Sequence, residues 1–173
     1  MITNEIKTAI RDVPDFPKKG IIFKDITTLL VKGDLFKKVI DQFADHYQSK
    51  GIEKVMGIES RGFIFGAPIA YKLNAGVIPI RKKGKLPYKT VSATYALEYG
   101  TDTLEMHEDA LKPGANVLIV DDLLATGGTA KATAELVEKV GGKIFGFAFL
   151  IELLFLEGRK NLKGYDIFSL IQY

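Results

Sequence analysis

Residues 117–130, VLIVDDLLATGGTA, constrain this chain more than any other segment. Four apolar residues run directly into Asp121 and Asp122. A short loop containing Gly127 and Gly128 follows, and then a helical pattern begins. A buried strand that turns through small residues into a helix is the repeating unit of parallel α/β folds. Here it also sets two carboxylates beside a loop suited to an anion.

The flanking pattern extends this grammar in both directions. Asn4 is placed to cap a short helix with an apolar face of Ile6, Ile10 and Val13, ended by Pro14. Asp34 reads as the N-cap of a longer helix, in which Leu35, Phe36, Val39, Ile40, Phe43, Ala44 and Tyr47 recur at helical spacing, with Gly51 at the stop. Residues 55–58 read as a buried strand that breaks at Glu59-Ser60-Arg61-Gly62 and leads into a helix reaching about Leu73. Residues 77–80 form another strand, ended by the basic loop of residues 81–85. Residues 91–106 alternate apolar and polar side chains around a turn at residues 99–102, which predicts an antiparallel hairpin. Further strands are expected at residues 144–151 and 167–170, after a helix ending near Val140.

The expectation is one α/β domain over residues 1–173. It has a mostly parallel central sheet with helices on both faces, an N-terminal hood of about residues 1–33, and a core with a hairpin at residues 90–107 over the site. A composition of 47% hydrophobic and 26% charged residues fits a globular chain with one core. A net charge of +3 is too balanced to point to nucleic acid, and no broad basic face or helix-turn-helix precedes the loop. No apolar run approaches the roughly 20 residues needed to cross a bilayer. Residues 1–12 lack the apolar centre of a signal peptide, so a cytoplasmic location is expected. With no cysteine, disulfides and thiolate metal sites are excluded. His46 and His107 have no metal-ligand spacing between them.

At the loop Ala125-Thr126-Gly127-Gly128-Thr129, backbone N–H groups at a helix start have no intrahelical partner, and the helix dipole favours an anion. The glycines let the backbone close around a phosphate, and Thr126 and Thr129 add hydroxyls. An isolated Gly-Gly pair is more often only a tight turn; the two acids and the strand-to-helix setting argue for more. No lysine follows the last glycine, so the loop is not a Walker A loop, and the dinucleotide GxGxxG signature is absent. One phosphate of a small ligand fits best. Asp121 and Asp122 then lie where a ribose diol would donate to carboxylates, although one of them can equally cap the turn.

These residues resemble the phosphoribosyl-pyrophosphate binding motif of the type I phosphoribosyltransferases. Three further segments agree: GIIFKDIT at residues 20–27, ESRGFIFG at residues 59–66, and RKKGKLP at residues 81–87 with LEYG at residues 97–100. The match spans nearly the whole chain and is of the adenine-using kind. The resemblance implies transfer of the phosphoribosyl group to adenine, giving AMP and pyrophosphate, with Mg²⁺ carried mainly by phosphoribosyl pyrophosphate. It implies that Ala125–Thr129 and the Asp121-Asp122 pair hold the phosphoribosyl group. Ser60, Arg61, Arg81, Lys82 and Lys85 take the pyrophosphate, Glu59-Ser60 through a strained peptide and the basic loop across a homodimer interface. Ile22, Phe23, Lys24 and Leu123 bind adenine, with Phe23 and Leu123 on opposite faces of the ring. Glu98, flanked by Tyr95 and Tyr99, manages the purine proton, and Arg61 assists the leaving group. The alternatives are a type I enzyme for xanthine, hypoxanthine or guanine, and a regulator that senses phosphoribosyl pyrophosphate. For the apolar run Leu153-Leu154-Phe155, burial against the base site and a subunit contact both stand open.

Overall fold

The computed structural model describes residues 2–96 and 100–173. Its elements are α1 (Ile2–Ala9), β1 (Arg11–Pro14), β2 (Ile22–Asp25), α2 (Thr27–Leu30), α3 (Gly33–Tyr47), β3 (Lys54–Ile58), α4 (Gly62–Leu73) and β4 (Gly76–Lys82). After these come β5 (Thr90–Ala96), β6 (Thr101–His107), β7 (Asn116–Leu124), α5 (Gly128–Lys139), β8 (Lys143–Glu152) and β9 (Asp166–Gln172). Two 3-10 segments, Leu154–Leu156 and Gly158–Leu162, join β8 to β9.

Seven strands form the main sheet in the order β5-β6-β4-β3-β7-β8-β9. From β4 to β9 all neighbours are parallel, while the β5-β6 hairpin adds two antiparallel strands at one edge. The chain passes from β3 outward to β4 on one side, and from β7 outward to β8 and β9 on the other. The loops leaving β3 and β7 therefore diverge, which opens a crevice at their C-terminal ends.

Alternation along the central strands explains the two cores. Val55, Leu118 and Val120 face one side, where they pack with Ile6, Leu29, Val39, Phe43, Tyr47 and Phe65 of the first four helices. Met56, Ile58, Val117 and Ile119 face the other side, with Ala130, Leu136 and Val137 of α5 and Leu104 of the hairpin. Phe43, Phe65 and Tyr47 are fully buried, and such burial stabilises by roughly 1.5–3 kcal/mol for a large apolar side chain. The Tyr47 hydroxyl keeps a partner by donating to the Phe147 carbonyl at 3.1 Å.

Several local expectations give way to the tertiary structure. The N-terminal helix stops at Ala9, and Val13 and Pro14 belong to β1, paired antiparallel with β2. Ile22 and Phe23 open this second strand. The hairpin's turn is fixed by Asp15, whose carboxylate accepts the Gly20 N–H at 2.7 Å. Helical spacing of three residues did not distinguish a helix from a strand here. Asp34 does not cap α3: the helix opens at Gly33 with Lys32 before it, and no side chain caps it. Its end comes at Gln48, before Gly51. Arg81 and Lys82 close β4 instead of standing in the loop, and β7 continues through both aspartates to Leu124. Ile6, Ile10, Ile26 and Leu29 of the N-terminal segment share one core with β3 and β7. His46 stacks flat on Phe168 at 4.0 Å.

The β3–α4 contact depends on two glycines. A Cβ at Gly57 would lie 3.1 Å from the Gly62 carbonyl oxygen and 3.2 Å from Phe63 Cα, and one at Gly66 would lie 3.2 Å from Gly57 Cα. Gly57→Val is expected to destabilise the protein by about 1–3 kcal/mol through overpacking. Urea denaturation would read this as a lowered midpoint. An unchanged midpoint would contradict the close approach.

Candidate active site

The crevice between the β3 and β7 loops holds a cavity of about 380 Å³, lined among others by Glu59, Ser60, Arg61, Asp121, Asp122 and Thr129. Leu123, Ala125, Lys82 and Tyr95 complete much of its wall. Most of the residues singled out on the two loops are thus brought together. Adjacency in the sheet does this: Gly57 of β3 pairs with Val120 of β7, one step before the acids.

The loop of residues 125–129 follows from the end of β7. Gly127 precedes α5 with φ of 84°, the left-handed region that glycine adopts without strain. No side chain caps this helix, so its first-turn N–H groups stay available to an anion. Thr126 is exposed and Thr129 half-buried. The side chain of Tyr95 lies against Gly128, and its hydroxyl lies 3.4 Å from Asp102 Oδ2.

Asp122 is almost fully buried, while Asp121 keeps partial access to the cavity. Asp121 Oδ1 accepts the Asp122 N–H at 2.9 Å. Arg61 Nε stands 2.9 Å from Asp122 Oδ2, an ion pair without hydrogen-bond alignment. Burial, and then the neighbouring Asp122 charge, push the Asp121 carboxyl well above the usual carboxylate range. Burial raises Asp122 as well, against the pull of Arg61. Ionising both acids at once is costly here. Gly62 permits this packing, because a Cβ there would sit 2.8 Å from the Val120 carbonyl oxygen and 2.9 Å from Asp121 Oδ1.

On the other wall Glu59 organises the basic loop. Its Oε2 accepts from Arg81 Nε at 3.0 Å and from the Lys82 backbone N–H at 2.9 Å, and its Oε1 pairs with Lys85. Lys82 Nζ pairs with Asp102 Oδ2 at 3.0 Å. The expected pyrophosphate cations Arg81, Lys82 and Lys85 are therefore each balanced by a carboxylate. The Glu59–Ser60 peptide bond is cis.

The residues expected around adenine are distributed over three hollows. Leu123 lines the main cavity. Phe23 lines a smaller one of about 230 Å³ with Val13, Phe16 and Asp25. Ile22 and Lys24 line a third of about 320 Å³, with Leu153, Phe155 and Tyr173. The Arg61 guanidinium lies over the Phe23 ring, 5.1 Å from its centroid, while Phe16 meets that ring edge-on. Arg61 thus joins Phe23 to Asp122. Lys24 Nζ pairs with Asp12 at 2.6 Å and lies over the Tyr173 ring. Glu98 lies outside the described residues, as do Leu97 and Tyr99. The anchoring role of Glu59 and the close approach of Gly158 to the Ala125 carbonyl oxygen had no sequence signal, because both are contacts between distant segments.

Fold and crevice together define an α/β protein with a polar cavity at its topological switch point. The chain belongs to the phosphoribosyl transferase domain family, whose model matches residues 26–171. Similar proteins include the adenine phosphoribosyltransferase of Acidobacterium capsulatum, 58% identical over 97% of this chain and 93% of that protein. The adenine phosphoribosyltransferase of Brachyspira hyodysenteriae is 59% identical over 98% and 99%. The crystal structure of the Thermoanaerobacter pseudethanolicus adenine phosphoribosyltransferase superposes with a TM-score of 0.96, at 54% identity and 99% coverage of both chains. That of the Saccharomyces cerevisiae enzyme, complexed with an imino-altritol bisphosphate and adenine, gives 0.94 at 41% identity and 98% coverage of both.

Glu59 yields a pH prediction. Burial opposes its charge, but Lys85, Arg81 and the Lys82 N–H outweigh this and hold its pKa at about 2, below the ordinary 4.5. A depressed carboxylate stabilises the fold fully above its ordinary pKa and loses that contribution as the pH falls through the folded value. Stability should therefore decline between pH 4.5 and about 2, and Glu59→Gln should flatten this limb. Urea midpoints at stepped pH check it, and an identical acid limb in the variant would contradict the arrangement.

Proposed function

We infer that this protein transfers the 5-phosphoribosyl group from phosphoribosyl pyrophosphate to adenine, releasing AMP and pyrophosphate in purine salvage. The observation that carries the reading is near full-length identity of 58% and 59% to proteins named for that activity. The crevice supports it chemically. Its uncapped helix start suits one phosphate and its acid pair suits a ribose diol.

In this reading the 5′-phosphate sits on residues 125–129 and the ribose hydroxyls donate to Asp121 and Asp122. The bond from sugar C1 to the pyrophosphate oxygen breaks as an adenine ring nitrogen bonds to C1. Positive charge develops on the ribose and negative charge on the departing oxygens. Ser60, Arg61, Arg81, Lys82 and Lys85 receive the pyrophosphate. For adenine to pass between Phe23 and Leu123, with Ile22 and Lys24 at its edge, the Arg61 guanidinium swings off the Phe23 ring toward the leaving group. Glu98 takes the proton lost by the purine nitrogen.

Mg²⁺ carried by phosphoribosyl pyrophosphate would supply charge neutralisation on the pyrophosphate. Among the described carboxylates of the cavity, Glu59 is engaged by Arg81 and Lys85 and Asp122 by Arg61, so Asp121 would be the oxygen donor open to an ion brought this way. The reading carries with it a homodimer, in which the basic loop reaches a neighbouring site, and a cytoplasmic location. No described helix is long and apolar enough to cross a membrane.

Pyrophosphate release with phosphoribosyl pyrophosphate, Mg²⁺ and each of adenine, guanine, hypoxanthine and xanthine tests the reading. Adenine is expected to be turned over at least about a hundredfold more efficiently than the others, since unmatched polar groups in a base site are heavily penalised. Preference for another purine, or no turnover with adenine, would sink it.

A further inference from the structure

The phosphate loop does not hold its shape alone. It is backed by the 3-10 segment Gly158–Leu162, which returns from the end of β8. Gly158 lies so near the loop that a Cβ on it would collide with the Ala125 carbonyl oxygen. A Cβ on Gly127 would in turn come within 2.5 Å of the Gly158 carbonyl oxygen. Three residues further on, Asn161 Nδ2 donates to the Thr126 carbonyl oxygen at 2.7 Å. The segment itself is fastened to the sheet. Arg159 grips Glu152 with both Nε (2.5 Å) and Nη2 (2.7 Å), and Gln172 Nε2 donates to the same carboxylate at 3.2 Å. Glu152 is only 2% exposed, so this forked pair is anchored at the end of β8.

The direction of these contacts gives them a purpose. Cis bonds among the described residues occur only at Phe16–Pro17 and Glu59–Ser60, so the peptides joining residues 125 to 126 and 126 to 127 are trans. In a trans peptide the carbonyl and the following N–H point to opposite sides. The carbonyls of Ala125 and Thr126 both face the 158–161 segment. The N–H groups of Thr126 and Gly127 are therefore turned away from it, toward the side where an anion would sit. Rotation of the Thr126–Gly127 peptide would send that N–H away from the anion, and the Asn161 amide opposes this rotation.

We propose that Asn161, seated on the segment anchored by Arg159 and Glu152, is a positioning residue that fixes the orientation of the phosphate-loop amides through the Thr126 carbonyl. The proposal rests on the reading that residues 125–129 hold the 5′-phosphate. It concerns affinity for the phosphate end of the substrate. The base end and the bond-breaking step lie elsewhere in the crevice.

Asn161 is exposed, so its substitution spares the core. The test is calorimetric binding of ribose 5-phosphate to the full-length protein, with steady-state kinetics beside it. Asn161→Ala is expected to raise the dissociation constant for ribose 5-phosphate by roughly three- to tenfold, the scale of one lost hydrogen bond. Asn161→Asp keeps the shape but replaces the donor by an acceptor-only carboxylate, so its loss is expected to be larger. In both variants the KM for phosphoribosyl pyrophosphate rises, while the KM for adenine and the melting temperature stay at the unaltered values. Unchanged ribose 5-phosphate affinity in both variants overturns the proposal. So does a loss that appears equally in the adenine KM with a lowered melting temperature, which would mark general damage. If the unaltered protein binds no ribose 5-phosphate, the reading of the loop itself fails, a result distinct from either.

Discussion

Everything in the crevice depends on one local constraint: a helix that starts on a left-handed glycine with no side chain to satisfy its first N–H groups. Such a start leaves backbone donors and the positive end of a helix dipole facing outward. The sheet order decides where they face. Because β3 and β7 are neighbours and their chains leave in opposite directions, the α5 start opens into the gap between them. The loop after β3 supplies the opposite wall. Without that adjacency, the same glycines would form an ordinary turn on the surface.

Charge around the gap is balanced in pairs before any ligand arrives. Glu59 holds Arg81 and Lys85, Asp102 holds Lys82, and Asp122 holds Arg61. Balanced pairs keep a cavity rich in ionic groups compatible with a stable fold, since an isolated buried charge is costly. They also define what an anionic substrate must do, which is to compete for cations already engaged. Arg61 is the pivot of this arrangement. It touches both the acid pair assigned to the ribose and the aromatic ring assigned to the base.

Much of the sheet was legible in the sequence because buried parallel strands are short apolar runs ended by polar or glycine residues. Residues 55–58, 77–80 and 117–120 could be placed for that reason, and the hairpin by its alternation. The limits lay where local pattern and tertiary contact compete. Val13 fitted a helix by spacing but pairs with Phe23 in a two-stranded sheet. Asp34 looked like a cap, yet the chain enters α3 one residue earlier. Within the site, the loop of residues 125–129 and the acid pair could be singled out because all their parts lie within nine consecutive residues. Glu59, Gly158 and Asn161 did not, because each acts through a segment 20 to 40 positions distant. The residues assigned to adenine lie between these cases. Their types suggest a base site, but Phe23 and Leu123 line different hollows with Arg61 between the ring and the acids.

The central claim is that the start of α5 holds the 5′-phosphate while the acid pair holds the ribose. A crystal structure of the protein with AMP tests it most directly. The phosphate oxygens are expected within about 2.7–3.2 Å of backbone nitrogens among residues 126–129, with the ribose hydroxyls on Asp121 and Asp122. A phosphate seated instead on Arg81 and Lys85, with the loop amides facing solvent, would contradict the account.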